Sequence, residues 1–133
     1  MDMFDIFLKT VKELNKQGIE PIIYGSFGLN LAIRGIEKIN DIDFILSDED
    51  FDKIKLPENP LVSFTKVGEV KTIDIDKNNL DEKEMNGAVF FNLKPKQYLE
   101  FYEKLSKKED RGEKMKKDLE KIELIKKFLN EKQ

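Results

Sequence analysis

Neither cysteine nor histidine occurs among the 133 residues of the chain. Without cysteine there is no disulfide, no thiolate metal site and no thiol nucleophile. Without histidine, imidazole acid–base chemistry and the usual imidazole zinc sites are excluded, which leaves carboxylates as the available bases and metal ligands. No apolar run approaches the roughly 20 residues of a membrane span. The first residues, Met1-Asp2-Met3-Phe4-Asp5, are acidic where a secretory signal is basic, so a cytoplasmic protein with no membrane partner is expected. An excess of one charge sign is missing too: 38% of residues are charged, yet the formal net charge is only −3. That balance gives no general attraction for nucleic acid or an anionic membrane. Neither an internal repeat nor a low-complexity linker interrupts the chain. Its length suits one domain, which can bury roughly two-thirds of the surface its unfolded form exposes.

What is present centres on residues 22–46. Ile22, Ile23 and Tyr24 are a short apolar run of the kind a buried strand needs. Gly25 permits a sharp turn, and Ser26 is a good N-cap for a helix ending at Arg34 and Gly35. A Gly-Ser at a helix start offers free backbone N–H groups, a hydroxyl and the positive end of the helix dipole, a combination that suits a phosphate. A second strand follows, with Asp41 and Asp43 at its mouth. Two residues apart on a strand, both carboxylates leave the same face. Two such carboxylates beside a phosphate cradle can hold Mg²⁺.

The remaining chain reads as elements that cover this centre. Phe4, Phe7, Leu8, Val11 and Leu14 recur at helical spacing in residues 2–17, with Gly18 as the stop. Ser47 caps a short helix anchored by Phe51 and Ile54, and Pro57 and Pro60 mark a loop. Leu61–Val67 and Val70–Asp76 flank Gly68-Glu69 and predict a hairpin. A polar stretch around Asn78 and Asn79 leads to a strand over Ala88–Leu93. Pro95 opens a helix carrying Tyr98, Leu99, Tyr102 and Leu105 inward, and Met115, Leu119, Ile122, Ile125 and Leu129 form a closing helix. The spacing of Tyr98, Phe101 and Tyr102 favours core packing over stacking on a base. This order predicts an α/β (α+β) domain over residues 1–133, a small mixed β-sheet flanked by helices, with a sheet-bearing core in 1–94 and helices in 95–133.

The run from Gly25-Ser26 to Asn40-Asp41-Ile42-Asp43-Phe44 resembles the nucleotidyltransferase superfamily of the DNA polymerase beta type. It is most similar to the small branch containing lincosamide-type nucleotidyltransferases and the AbiEii-type toxins. Lys38 and Asn40 stand near the positions where that branch often carries Arg and Thr or Ser. The resemblance implies the nucleotidyltransferase fold, a nucleoside triphosphate donor, and Mg²⁺ or Mn²⁺ as cofactor. It implies Asp41 and Asp43 as metal ligands, and Gly25, Ser26 and Lys38 on the nucleotide side. A third carboxylate on a later strand is part of the pattern. Asp74, in Thr72-Ile73-Asp74-Ile75-Asp76, fits it better than Asp76, because Asp74 lies inside the expected strand. Asp41, Asp43 and Asp74 are then the catalytic and metal-binding set. Lys94-Pro95, Arg111, Lys114 and Asp118 loosely match a later part of the pattern. The expected reaction moves a nucleoside monophosphate to an acceptor hydroxyl and releases pyrophosphate. The alternative is a nucleotide-binding or regulatory module without turnover, or a protein-interaction module such as a toxin–antitoxin component. The acceptor, whether small molecule, RNA or protein, is not readable from the residues.

Overall fold

The structure, a computed structural model, describes residues 2–70, 75–108 and 112–131. Helix α1 spans Met3–Lys16 and buries Phe7, Leu8, Val11 and Leu14 along one side, as their spacing requires. Asp2 caps it by accepting a 2.8 Å hydrogen bond from the Asp5 N–H. After β1 (Ile22–Tyr24) and α2 (Gly25–Ile33) come β2 (Ile42–Leu46), α3 (Asp48–Lys53) and β3 (Val62–Lys66). The chain then forms β4 (Asp81–Met85), β5 (Ala88–Asn92), α4 (Pro95–Ser106) and α5 (Lys114–Glu131). Among the described residues no helix is long and apolar enough to cross a membrane.

The strands form one mixed sheet in the order β3-β2-β1-β5-β4. Strand β1 runs antiparallel to β2 and parallel to β5, while β2 and β3 are parallel and β4 and β5 antiparallel. The expected class, a small mixed sheet flanked by helices, is what the chain adopts. Alternation along the strands divides the core in two. On one face Ile23, Ile42, Phe44 and Phe90 pack against Phe7, Leu8 and Val11 of α1. On the other, Ile22, Ile45 and Leu93 meet Tyr98 and Tyr102 of α4 and Ile122 and Ile125 of α5. Asp43 is paired with Tyr24 and lies two residues before Ile45, so it belongs to the α4–α5 face.

One buried polar network ties three elements together. The Asn92 amide donates to the Gly28 carbonyl at 3.0 Å, and the Tyr98 hydroxyl donates to Asn92 Oδ1 at 2.5 Å. Tyr98 is fully buried, and burial pushes its hydroxyl pKa well above the ordinary value. Gly28 of α2 sits so close to Tyr98 and Asn92 that no Cβ fits between them.

Of the expected hairpin around Gly68-Glu69, the first arm is strand β3 and the turn is described, while most of the second arm is not. Val67–Glu69 is a 3-10 turn, and β3 lies parallel to β2, its only strand partner among the described residues. Lys71–Asp74, which include the candidate Asp74, lie outside the described residues. Among the described residues, β4 and β5 form a hairpin that turns at Asn86-Gly87 with φ of +51° and +86°. Positive φ at both corner residues gives the twist that suits a two-residue hairpin. Strand β4, Asp-Glu-Lys-Glu-Met, has no apolar alternation to reveal it, because it is an edge strand whose central residues Glu82, Lys83 and Glu84 face solvent.

Candidate functional site

The site begins where β1 ends. Gly25 takes φ of +71°, so the chain passes from β1 into α2 without a loop. An added Cβ at Gly25 would stand 2.7 Å from Asp43 Oδ2. The missing side chain is therefore what lets the Asp43 carboxylate lie against the helix start. Gly25→Ala combines the left-handed backbone with this collision and is expected to lower stability by about 1–3 kcal/mol. A thermal midpoint unchanged from wild type would refute that account of the corner.

Ser26 is not the N-cap. Tyr24 holds that position without a side-chain cap, because the glycine corner starts the helix one residue before Ser26. The Ser26 hydroxyl instead accepts a 2.7 Å hydrogen bond from Lys121 Nζ, which crosses from α5. The first turn of α2 carries no acidic residue.

Asp41 lies just outside β2 and is exposed, whereas Asp43, within the strand, is half-buried. The β2–β3 register sets Asp43 beside Ser63, whose hydroxyl donates to Asp43 Oδ1 at 2.6 Å. Burial pushes the Asp43 carboxyl above its ordinary value; the Ser63 bond pulls it down, the neighbouring Asp41 pushes it up again, and Lys121 counters. The two aspartates thus stand near enough to repel one another. Tyr24 shares a 3.2 Å hydrogen bond with the Thr65 hydroxyl, and its own hydroxyl pKa is raised, chiefly by burial.

These groups open onto a cleft of about 310 Å³. One wall is Gly25, Ser26, Lys38, Asn40, Asp41 and Asp43; the other is Phe101, Tyr102 and Leu105 of α4 with Lys114, Lys117, Asp118 and Lys121 of α5. Lys121 Nζ lies 5.0 Å over the Tyr102 ring, an approach that holds the ammonium against the aromatic wall. A larger cavity of about 810 Å³ between α1 and residues 54–60 is lined largely by apolar side chains such as Ile6, Leu56, Pro57 and Phe64. A shallow depression on the last turns of α5 is lined by surface charges. Neither gathers paired carboxylates, a hydroxyl and ammonium groups at a helix start, and the smaller cleft is the better candidate on that ground.

Gly25, Ser26, Lys38, Asp41 and Asp43, singled out from the sequence, are brought together on one wall. Asp74 lies outside the described residues, as does Arg111. Asp76 is elsewhere, capping a 3-10 turn by accepting from the Asn78 N–H at 3.0 Å. Lys114 and Asp118 do line the cleft. Ser63, Lys117 and Lys121 are the residues that sequence reasoning misses. The lysines had a readable signal, since 114, 117 and 121 fall on one helical face. Ser63 had none short of knowing the parallel β2–β3 register.

Among the described residues no three acidic side chains stand close enough to hold a metal ion together. Asp41 and Asp43 are a pair of hard oxygen donors whose mutual repulsion a divalent cation relieves, so they suit Mg²⁺ or Mn²⁺ completed by ligands beyond the pair, such as phosphate oxygens and water. Compared with family models, curated proteins and solved structures, the chain matches none.

Proposed function

We propose that the protein is a metal-dependent nucleotidyltransferase, as the resemblance of its Gly25-Ser26 and Asp41-x-Asp43 segments implies. The observation that carries this reading is the meeting of Asp41 and Asp43 with the Gly25 corner, the Ser26 hydroxyl and the α5 lysines in one cleft. Paired carboxylates alone would be weak support. Carboxylates set against a helix start that carries a hydroxyl and faces ammonium groups match the charge pattern of a nucleoside triphosphate with its cation.

In this reading Ser26 and the first N–H groups of α2 take the terminal phosphates, with Lys38 at the rim. Asp41 and Asp43 would hold Mg²⁺ or Mn²⁺, which when bound would supply positive charge beside the phosphate oxygens. Ser63 fixes the rotamer of Asp43 through the bond to Oδ1. An acceptor hydroxyl oxygen bonds to the α-phosphorus, the bond from that phosphorus to the bridging oxygen breaks, and pyrophosphate leaves. The acceptor's proton goes to a carboxylate, the role assigned to Asp74. Positioning and charge complementarity supply the acceleration, which is why a chain without histidine can do this chemistry. The proposal includes a cytoplasmic setting, where nucleoside triphosphates are held.

The test is transfer of label from nucleoside triphosphates with Mg²⁺ or Mn²⁺, read as labelled acceptor or released pyrophosphate. Saturating Mg²⁺–nucleotide, at about 100 times its Kd, is expected to stabilise the fold by about 2.7 kcal/mol through linkage. Stabilisation without pyrophosphate would replace the enzyme by a binding module. No stabilisation and no transfer with any of the four ribonucleotides would remove both readings.

A further inference from the structure

Lys121 belongs to α5, 95 residues along the chain from Ser26, and nothing in the Gly-Ser and Asp-x-Asp pattern assigns it a role. Its position is nonetheless specific. The ammonium donates to Ser26 Oγ at 2.7 Å, stands 5.0 Å above the Tyr102 ring, and is close enough to Asp43 to favour its ionised form. Many lysines on α5 are solvent-facing, among them Lys116, Lys126 and Lys127, whereas Lys121 is half-buried in the cleft wall. Holding the ammonium over an aromatic ring and against a hydroxyl orders a long side chain, so the charge is presented in the cleft at a fixed place. The hydroxyl it touches is the one that would face a phosphate.

We propose that Lys121 is a phosphate-binding residue of the cleft, seated on the Ser26 hydroxyl so that an arriving polyphosphate meets a hydroxyl and an ammonium already side by side. This rests on the nucleotide-site reading and extends it to α5. Lys121 reaches the anion from α5, while Asp41 and Asp43 would meet its cation from the sheet. Tyr102 restricts where the ammonium can move, which limits the ordering cost of the contact. Lys117 and Lys114, one and two turns before Lys121 on the same face, continue the positive wall along the cleft.

The decisive probe is inorganic tripolyphosphate, titrated calorimetrically against the whole chain, because it reads the anion contact without turnover. Wild type is expected to bind it with an affinity that falls as salt is raised. Lys121→Gln keeps a donor for Ser26 but loses the charge, and is expected to bind about tenfold or more weakly and with a shallower salt dependence. Lys121→Arg should retain most of the affinity. Lys116→Gln makes the same charge change on an exposed position of the same helix and should stay within about twofold of wild type. Thermal unfolding without ligand checks that each variant is folded. Lys121→Gln binding tripolyphosphate as tightly as wild type, or wild type not binding it at all, overturns the proposal. If wild type still transfers nucleotide in that case, the enzyme reading stands without this role for Lys121. If transfer and nucleotide stabilisation are also absent, that reading has failed separately.

Discussion

Gly28→Ala is expected to destabilise the protein by about 3 kcal/mol, from overpacking and from disturbance of buried hydrogen bonds. For a chain of this size that is roughly a 10 °C fall in the thermal midpoint. The helix itself would welcome alanine, which has the better intrinsic propensity by about 1 kcal/mol. Packing decides the sign. The new Cβ would collide with the Tyr98 hydroxyl, stand 3.2 Å from Asn92 Oδ1 and lie 3.3 Å from the Ile23 carbonyl carbon. None of these neighbours can retreat cheaply: Tyr98 and Asn92 are buried and bonded to each other, and Ile23 is in the central strand. Tyr98→Phe removes the hydroxyl and on its own is expected to cost about 1–2 kcal/mol, because it leaves Asn92 Oδ1 without its donor. Combined, the two changes should cost less than their sum, since the collision and the lost bond share one atom. Strict additivity in urea unfolding would show that the contact is not the cause.

Asp43→Asn is expected to lower nucleotide transfer by at least about 10²–10³-fold while leaving the fold intact. The two effects separate because burial and the neighbouring Asp41 disfavour the Asp43 charge in the empty protein, whereas the proposed reaction needs that charge. Its pKa is raised above the ordinary 3.8, chiefly by burial. Between the unfolded and folded pKa values the folded chain therefore holds a proton that the unfolded chain has lost. The stability this adds is complete below the unfolded pKa and is lost as pH rises through the folded one. At neutral pH, in the absence of metal, asparagine carries no charge to desolvate and no repulsion with Asp41, so Asp43→Asn should unfold at a temperature equal to or above wild type. That advantage should disappear as pH falls below the ordinary carboxylate value. Addition of Mg²⁺–nucleotide should reverse the order, raising wild type and leaving the variant almost unmoved. A variant that is less stable than wild type at neutral pH, without ligand, would mean that the Asp43–Ser63 bond serves the fold and not a cation.

How much of this is legible in the residues depends on how local the information is. The Gly25 corner, α2 and the two aspartates are readable because each signal sits within a few positions of its consequence. The amphipathic spacing of Phe7, Leu8, Val11 and Leu14 is readable for the same reason. Ser26 misleads: serine before an apolar run is a good capping signal, but a glycine at positive φ begins the helix earlier and frees the hydroxyl for Lys121. The β4–β5 hairpin carries its own mark, Asn86-Gly87, yet the arm before it is charged at four of its five positions and hides the strand. Gly68-Glu69 offers a similar dipeptide between better strand formers, and there the described chain forms a 3-10 turn over Val67–Glu69. Ser63 and Lys121 reach the cleft through long-range packing, which a single chain of letters does not encode position by position.

The span of 95 residues between Ser26 and Lys121 has a consequence for how the protein is made. Translation at about 5–20 residues per second leaves roughly 5–20 seconds between the appearance of the hydroxyl and of the ammonium that meets it. Asp41 and Asp43, made soon after Ser26, likewise precede the wall of the cleft that α5 supplies. All five strands of the sheet are made before Lys121, so the sheet side of the cleft can form before the side that α5 supplies.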